Sequence, residues 1–129
     1  MLKRITSDKL PQAVGSYSAA TEVGGFIFTS GQLPINGETN TIEFPDSIEK
    51  QAKQSMDNVK YILEDNGSSL ENIIKTTVYL SNIEDFSSFN QVYSSYFEGD
   101  YPARTAFEVG KLPMGALIEI EVIARKEEK

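Results

Sequence analysis

Four places in this chain of 129 residues depart from plain core-and-surface patterning, and each offers a group that could do chemistry. The first is YPARTAFEV, residues 101–109, where Pro102 stiffens the approach to a strand that carries one cation, Arg104. Strand alternation puts Arg104, Ala106 and Glu108 on one face and Thr105, Phe107 and Val109 on the other. Two readings of Arg104 stand side by side. It is a surface ion-pair partner of Glu108, Glu119 or Glu121, or its planar fork takes a substrate carboxylate bidentately. The second place is TSGQLP, where a strand ends in Ser30-Gly31 and a glycine lets backbone approach a ligand. The third is Glu119, set between Ile118 and Ile120. A carboxyl that is partly desolvated there has a raised pKa and can serve as acid or base near neutral pH; the plainer reading is a solvated strand carboxylate. The fourth joins Tyr17, in a Gly/Ser-containing approach to a strand, with Asn90, an amide inside an aromatic stripe. A buried amide needs partners, so Asn90 is expected to position a loop or a ligand.

What is missing narrows the chemistry further. The chain has no cysteine and no histidine. Disulfides, thiolate metal sites and a cysteine nucleophile are excluded, and so is the commonest acid–base group. No Asp-x-Asp-x-Asp loop appears. The remaining set is an arginine anchor, a glutamate proton shuttle, hydroxyls, amides and water. It suits hydrolysis of a compound that is already labile. A net charge of −7 with scattered Lys and Arg argues against nucleic acid and anionic membrane as partners. The opening MLKRITSDKLP has no apolar leader core and no 18-residue apolar run occurs, so a cytoplasmic protein is expected.

The elements that must position these groups follow from periodicity. LKRIT reads as a first strand. Residues 17–23 and 26–31 read as a hairpin joined at Gly24-Gly25, and Asn36-Gly37 as a turn in the next loop. A helix is expected over 46–66, with Asp46 and Glu49 as a capping box and Gly67 as the stop. NIIKTTVYLS is a strand, 83–98 a second helix with an aromatic stripe, and RTAFEV and ALIEIEVIAR the last two strands. The expected fold is α+β, a single domain over 1–129 in the order β-β-β-α-β-α-β-β, a mixed sheet with two helices on one face. In the last strand Ile118, Ile120, Val122 and Ala124 suit the helix side, and Glu119, Glu121, Ile123 and Arg125 the other. That second side is half apolar with no helix left to cover it. A homo-oligomer with inward-facing sheets is therefore expected.

Five stretches carry a resemblance over nearly the whole chain: LPQAVGSYSAA, TSGQLP, QAKQSMDNVKYILEDNGSSLENIIKTTVYL, FNQVYSSYF and YPARTAFEVGKLPMGALIEIEVIA. In these the chain resembles the RidA (YjgF) family of reactive intermediate deaminases. The resemblance implies a chorismate-mutase-like homotrimer with clefts between subunits and no cofactor. It implies hydrolysis of 2-aminoacrylate and related enamines or imines to 2-oxo acids and ammonia. By the same resemblance Arg104 binds the substrate carboxylate, assisted by backbone near Gly31 and Ala106. Glu119 orients water and moves protons, and Tyr17, Ser30 and Asn90 line the cleft. The chain departs from the common pattern at Ser16, at Ala106 (often cysteine) and at Gly110-Lys111, which leaves the substrate range open. A non-catalytic ligand-binding or regulatory trimer is the alternative, and ribonuclease, an older label of the family, a third reading.

Overall fold

A computed structural model describes residues 1–127. The elements are β1 (Lys3–Ile5), β2 (Ala20–Val23), β3 (Phe26–Thr29), α1 (Ile48–Glu64), β4 (Ile73–Leu80), α2 (Phe86–Ser94), β5 (Ala103–Glu108) and β6 (Ile118–Arg125). They build the expected α+β architecture. The six strands form one mixed sheet in the order β1-β2-β3-β6-β4-β5. Only β4 and β5 pair in parallel, with α2 as the crossover; the other pairs are antiparallel. The β2–β3 turn uses Gly24 and Gly25 at φ 59° and 85°, the two positive angles that a tight hairpin needs.

Local expectations shifted at three points. The α1 cap is Ser47, whose hydroxyl accepts from the Lys50 N–H at 3.2 Å; Asp46 lies one residue outside the helix. A serine in extended conformation satisfies the first-turn donors as well as an aspartate would. The second helix is shorter than 83–98. A 3-10 turn at Ile83–Asp85 leads into it, and after Ser94 the amides of Tyr96 and Phe97 bond three residues back. The turn near Asn36-Gly37 is also wider than a two-residue one. Asn36 N–H reaches the Thr41 carbonyl, and Asn40, not Gly37, takes the positive φ of 57°. Gly37 is needed for room, because a Cβ there would lie 2.1 Å from the Lys9 carbonyl oxygen.

Both helices cover one sheet face. Ala52, Met56, Val59, Ile62 and Leu63 of α1 and Phe89 of α2 pack on Ile27, Val78, Leu80, Ile118 and Ile120, all fully buried. Each such burial is worth about 2 kcal/mol relative to exposure. The chain's alternation thus places the even-numbered residues of β6 in the core. The odd-numbered ones face away from the helices, beside Tyr79 of β4 and Phe107 of β5. On that open face Val23, Phe26, Phe28 and Phe107 each stand about 41–42% exposed. The half-apolar face expected from the sequence is therefore present.

Candidate active site

Arg104 lies on β5, the edge strand, and its register pairs it with Thr76, which also pairs with Val122. It therefore belongs to the helix face. Its guanidinium donates to Asn90 Oδ1 of α2 at 2.7 Å. The guanidinium carbon sits 4.9 Å from the Tyr93 ring centre, 5.2 Å from Phe86 and 5.7 Å from Phe89. The Tyr93 hydroxyl is fixed in turn by a bond to Thr76 at 3.1 Å. One hydrogen bond and three ring faces thus hold the planar cation in a single orientation. A cleft of ≈ 430 Å³ opens beside it, lined by Asn90, Tyr93, Ser94, Tyr101, Pro102 and Arg104.

This geometry corrects the ion-pair reading. Among the described residues Arg104 pairs with no carboxylate. Glu108 instead accepts from the Ile83 N–H at 3.0 Å. Glu119 and Glu121 occupy odd positions of β6, on the other side of the sheet from Arg104. Asn90 is corrected too: it positions the arginine rather than a loop. Ala106 lies two residues along the same face as Arg104. The Val109 N–H points toward β4, to the Leu80 carbonyl at 2.9 Å. Alternation then turns the amides of Arg104, Ala106 and Glu108 toward the free edge of β5. A small side chain at Ala106 leaves that amide accessible beside the cation.

The second cluster surrounds Glu119. Its cross-strand partner is Tyr79. The Tyr79 hydroxyl donates a short bond to Glu121, the next residue of β6 on the same face. Above Glu119 runs the segment after β3. Its Gln32 bridges to Ile120 through both backbone groups, at 2.7 and 3.2 Å. That bridge lays Gly31 directly on the Glu119 carboxylate, where a Cβ would meet Oε2 at 2.5 Å. Burial first, and the Glu121 carboxylate second, push the Glu119 pKa up. The sequence reading of Glu119 as a partly desolvated carboxyl thus matches its surroundings.

Ser30 and Tyr17 belong to this second cluster. Ser30 donates through its hydroxyl to the Ser18 carbonyl at 2.7 Å and through its amide to Ala19 at 2.8 Å. It ties the Tyr17–Ser18 approach to the end of β3. Tyr17 is 54% exposed and shares a recess of ≈ 60 Å³ with Gly31. Buried Asn58 of α1 steadies the following loop through the carbonyls of Leu33 and Ile35, at 3.2 and 3.0 Å.

The seven residues picked from the sequence thus fall into two groups. Arg104, Asn90 and Ala106 form one; Glu119, Gly31, Ser30 and Tyr17 form the other, across the sheet. Sequence reasoning missed Tyr93, Ser94 and Tyr101 as cleft residues. Tyr93 was hidden in an apolar stripe, and its hydroxyl, three residues from Asn90, was the available signal. It also missed the Tyr79–Glu121 bond, which needs the β4–β6 register. A larger groove of ≈ 570 Å³ between α1 and α2 is lined by Lys53, which Asp57 pairs at 2.8 Å, and by Lys50, whose ammonium lies over the Phe44 ring.

Known proteins match this arrangement along almost the full chain. A family model described as endoribonuclease L-PSP matches residues 7–126. A RutC family protein of Pyrococcus abyssi is 49% identical over 123 residues, covering 95% of this chain and 96% of the relative. A 2-iminobutanoate/2-iminopropanoate deaminase of Escherichia coli is 41% identical over 127 residues, covering 96% and 98%. The crystal structure of E. coli TdcF with bound serine superposes with a TM-score of 0.91 at 37% identity, covering 97% of this chain and 99% of that one. With its sheet order, its helix layer and these matches in agreement, the chain belongs to the endoribonuclease L-PSP family, the RidA/YjgF group of proteins.

Proposed function

We propose that this protein hydrolyses reactive 2-enamino and 2-imino acids of the 2-aminoacrylate type to 2-oxo acids and ammonia. The observation that carries the reading is Arg104: a guanidinium fixed by Asn90 and three rings, facing a cleft and free of any carboxylate among the described residues. Such a fork is built to receive a carboxylate from a ligand. The Ala106 amide on the same edge supplies a further donor. The E. coli relatives support the class, one by its deaminase name and one by its bound serine, a small amino acid.

Arg104 and Glu119 cannot act on one small substrate within one copy, because the sheet lies between them. The reading therefore requires a homotrimer in which the Arg104 face of one copy meets the Glu119 face of the next. The half-apolar open face supplies the surface to be buried. The enamine tautomerises to the imine, and water adds to its carbon. Glu119 takes a proton from that water and passes it to the nitrogen, then carries the carbinolamine's hydroxyl proton to the same nitrogen, so that ammonia leaves as the carbonyl of the 2-oxo acid forms. A carboxyl with a raised pKa suits both steps. Tyr17, Ser30, Gly31 and Asn90 line and support the cleft. No cofactor, nucleic acid or membrane enters this account, and a cytoplasmic trimer is part of the same proposal.

A serine or threonine dehydratase generates 2-aminoacrylate in situ, and 2-oxo acid release is followed with and without this protein. Acceleration that disappears in Arg104→Ala is the expected result. No acceleration by the wild type rejects the reading for this substrate. Retained ligand binding with no turnover would instead favour a regulatory trimer, for which the Arg104 clamp is equally suited. Ribonuclease activity is disfavoured by the charge of −7 and the absence of histidine.

A further inference from the structure

Glu119 and Glu121 stand two residues apart on the same face of β6, in a partly buried setting where two like charges disfavour each other. What separates their roles is Tyr79. Its register places it directly across from Glu119, close enough for side-chain contact. Its hydroxyl passes Glu119 and donates to Glu121. Phe107 of β5 packs edge-on against the Tyr79 ring, with centres 5.4 Å apart, and fixes its tilt.

We infer that Tyr79 and Glu121 are positioning residues for Glu119: the Tyr79 ring walls the Glu119 carboxylate on the β4 side, and its hydroxyl holds the Glu121 carboxylate in place, leaving Glu119, which takes no bond from Tyr79, as the group that takes up and releases the proton. The inference rests on the reading of Glu119 as the proton-handling group. Tyr79 is suited to its part, because its own pKa is pushed up to about 12, first by the bond to Glu121 and then by burial. It remains a donor throughout the working range. Glu121 in turn contributes to the raised pKa of Glu119, after burial.

The groups facing Glu119 can be named. From β4 come Tyr79 and, two and four places further along the same face, Thr77 and Lys75. From β5 come Thr105 and Phe107, neither charged near neutrality. The segment over Glu119 contributes Gly31, with Ser30 and Gln32 on either side. Among the described residues of one copy, Glu121 is the charged group that acts on Glu119. Gly31 leaves space above the carboxylate and Tyr79 closes one side of it. The approach for a substrate is from the open face.

The test combines two measurements on the full-length assembled protein. Carboxyl carbons are observed by NMR after glutamate labelling, with the Glu119 signal assigned by its absence from Glu119→Gln. The pH profile of kcat/KM is recorded for the same variants. Glu121→Gln removes the neighbouring anion with little change of shape. It should move the Glu119 titration, and the matching limb of the profile, to lower pH. Tyr79→Phe removes only the donor. It frees the Glu121 carboxylate from its fixed place beside Glu119 and should therefore also move the Glu119 titration. If either variant fails to fold, the other supplies the test through the same signal. A Glu119 titration unmoved in the folded variants overturns the inference, even if stability falls. Full activity in Glu119→Gln instead overturns the underlying reading of Glu119, a distinguishable result.

Discussion

Arg104 and Glu119 occupy opposite faces of one sheet, and their surroundings differ in kind. The arginine is held by positive contacts: an amide oxygen at 2.7 Å and three aromatic rings within 5.7 Å. The glutamate is placed mainly by what is withheld. Gly31 offers no Cβ to collide with it, and its closest charged neighbour on β6 repels it. One half is a cation whose orientation a single copy fixes by itself. The other is a primed carboxyl on an unfinished surface. A binder needs only the first; a catalyst of the proposed kind needs both, brought together by assembly.

Complementation between copies tests that division most severely. Arg104→Ala should lower kcat/KM by about 10²–10³-fold, and Glu119→Gln by about 10²–10⁴-fold. Neither homo-oligomer alone should turn over substrate at a useful rate. Unfolding the two variants together and refolding them at equal amounts should restore about a quarter of wild-type activity, since each interface then has that chance of drawing one intact half from each copy. Absence of any recovery, with mixed oligomers demonstrated by mass spectrometry, would place both halves in one copy and break the comparison.

Smaller effects sharpen it. Asn90→Ala keeps the cation and removes its guide, so KM should rise and kcat/KM should fall about 10²-fold. Gly31→Ala forces the Glu119 carboxylate aside. A loss of about tenfold, in kcat rather than KM, is expected from steady-state kinetics with the thermal midpoint nearly unchanged. Tyr93→Phe keeps the ring beneath Arg104 and removes only the bond to Thr76. It should cost about 1 kcal/mol of stability in denaturant titration and leave activity within about twofold.

Much of this could be read from residue order. The helix at 48–64 and the Ile118–Arg125 strand follow from strict periodicity, because burial against one neighbour decides which positions are apolar. The Arg104 and Glu119 positions were visible as polar departures from that pattern. Their separation was not. Each strand's alternation fixes its own two faces, whereas the relation between β5 and β6 depends on β4 pairing with both, a non-local register. The shortened α2 was hidden for another reason. The aromatic ladder continues through Phe97 to Tyr101 after the helical hydrogen bonds have tightened, so the stripe outlasts the helix.

The free edge of β5 has a consequence for handling the protein. Its outward amides, Ala106 among them, form a strip that any extended peptide could zip onto. Pro102, just before the strand, contributes no amide hydrogen to that strip, and Glu108 adds charge near its far end. A small acid lodged against Arg104 would cap the same strip. Occupancy of the pocket should therefore protect concentrated solutions from aggregation, so that a small carboxylic acid in the storage buffer acts as a stabilising excipient.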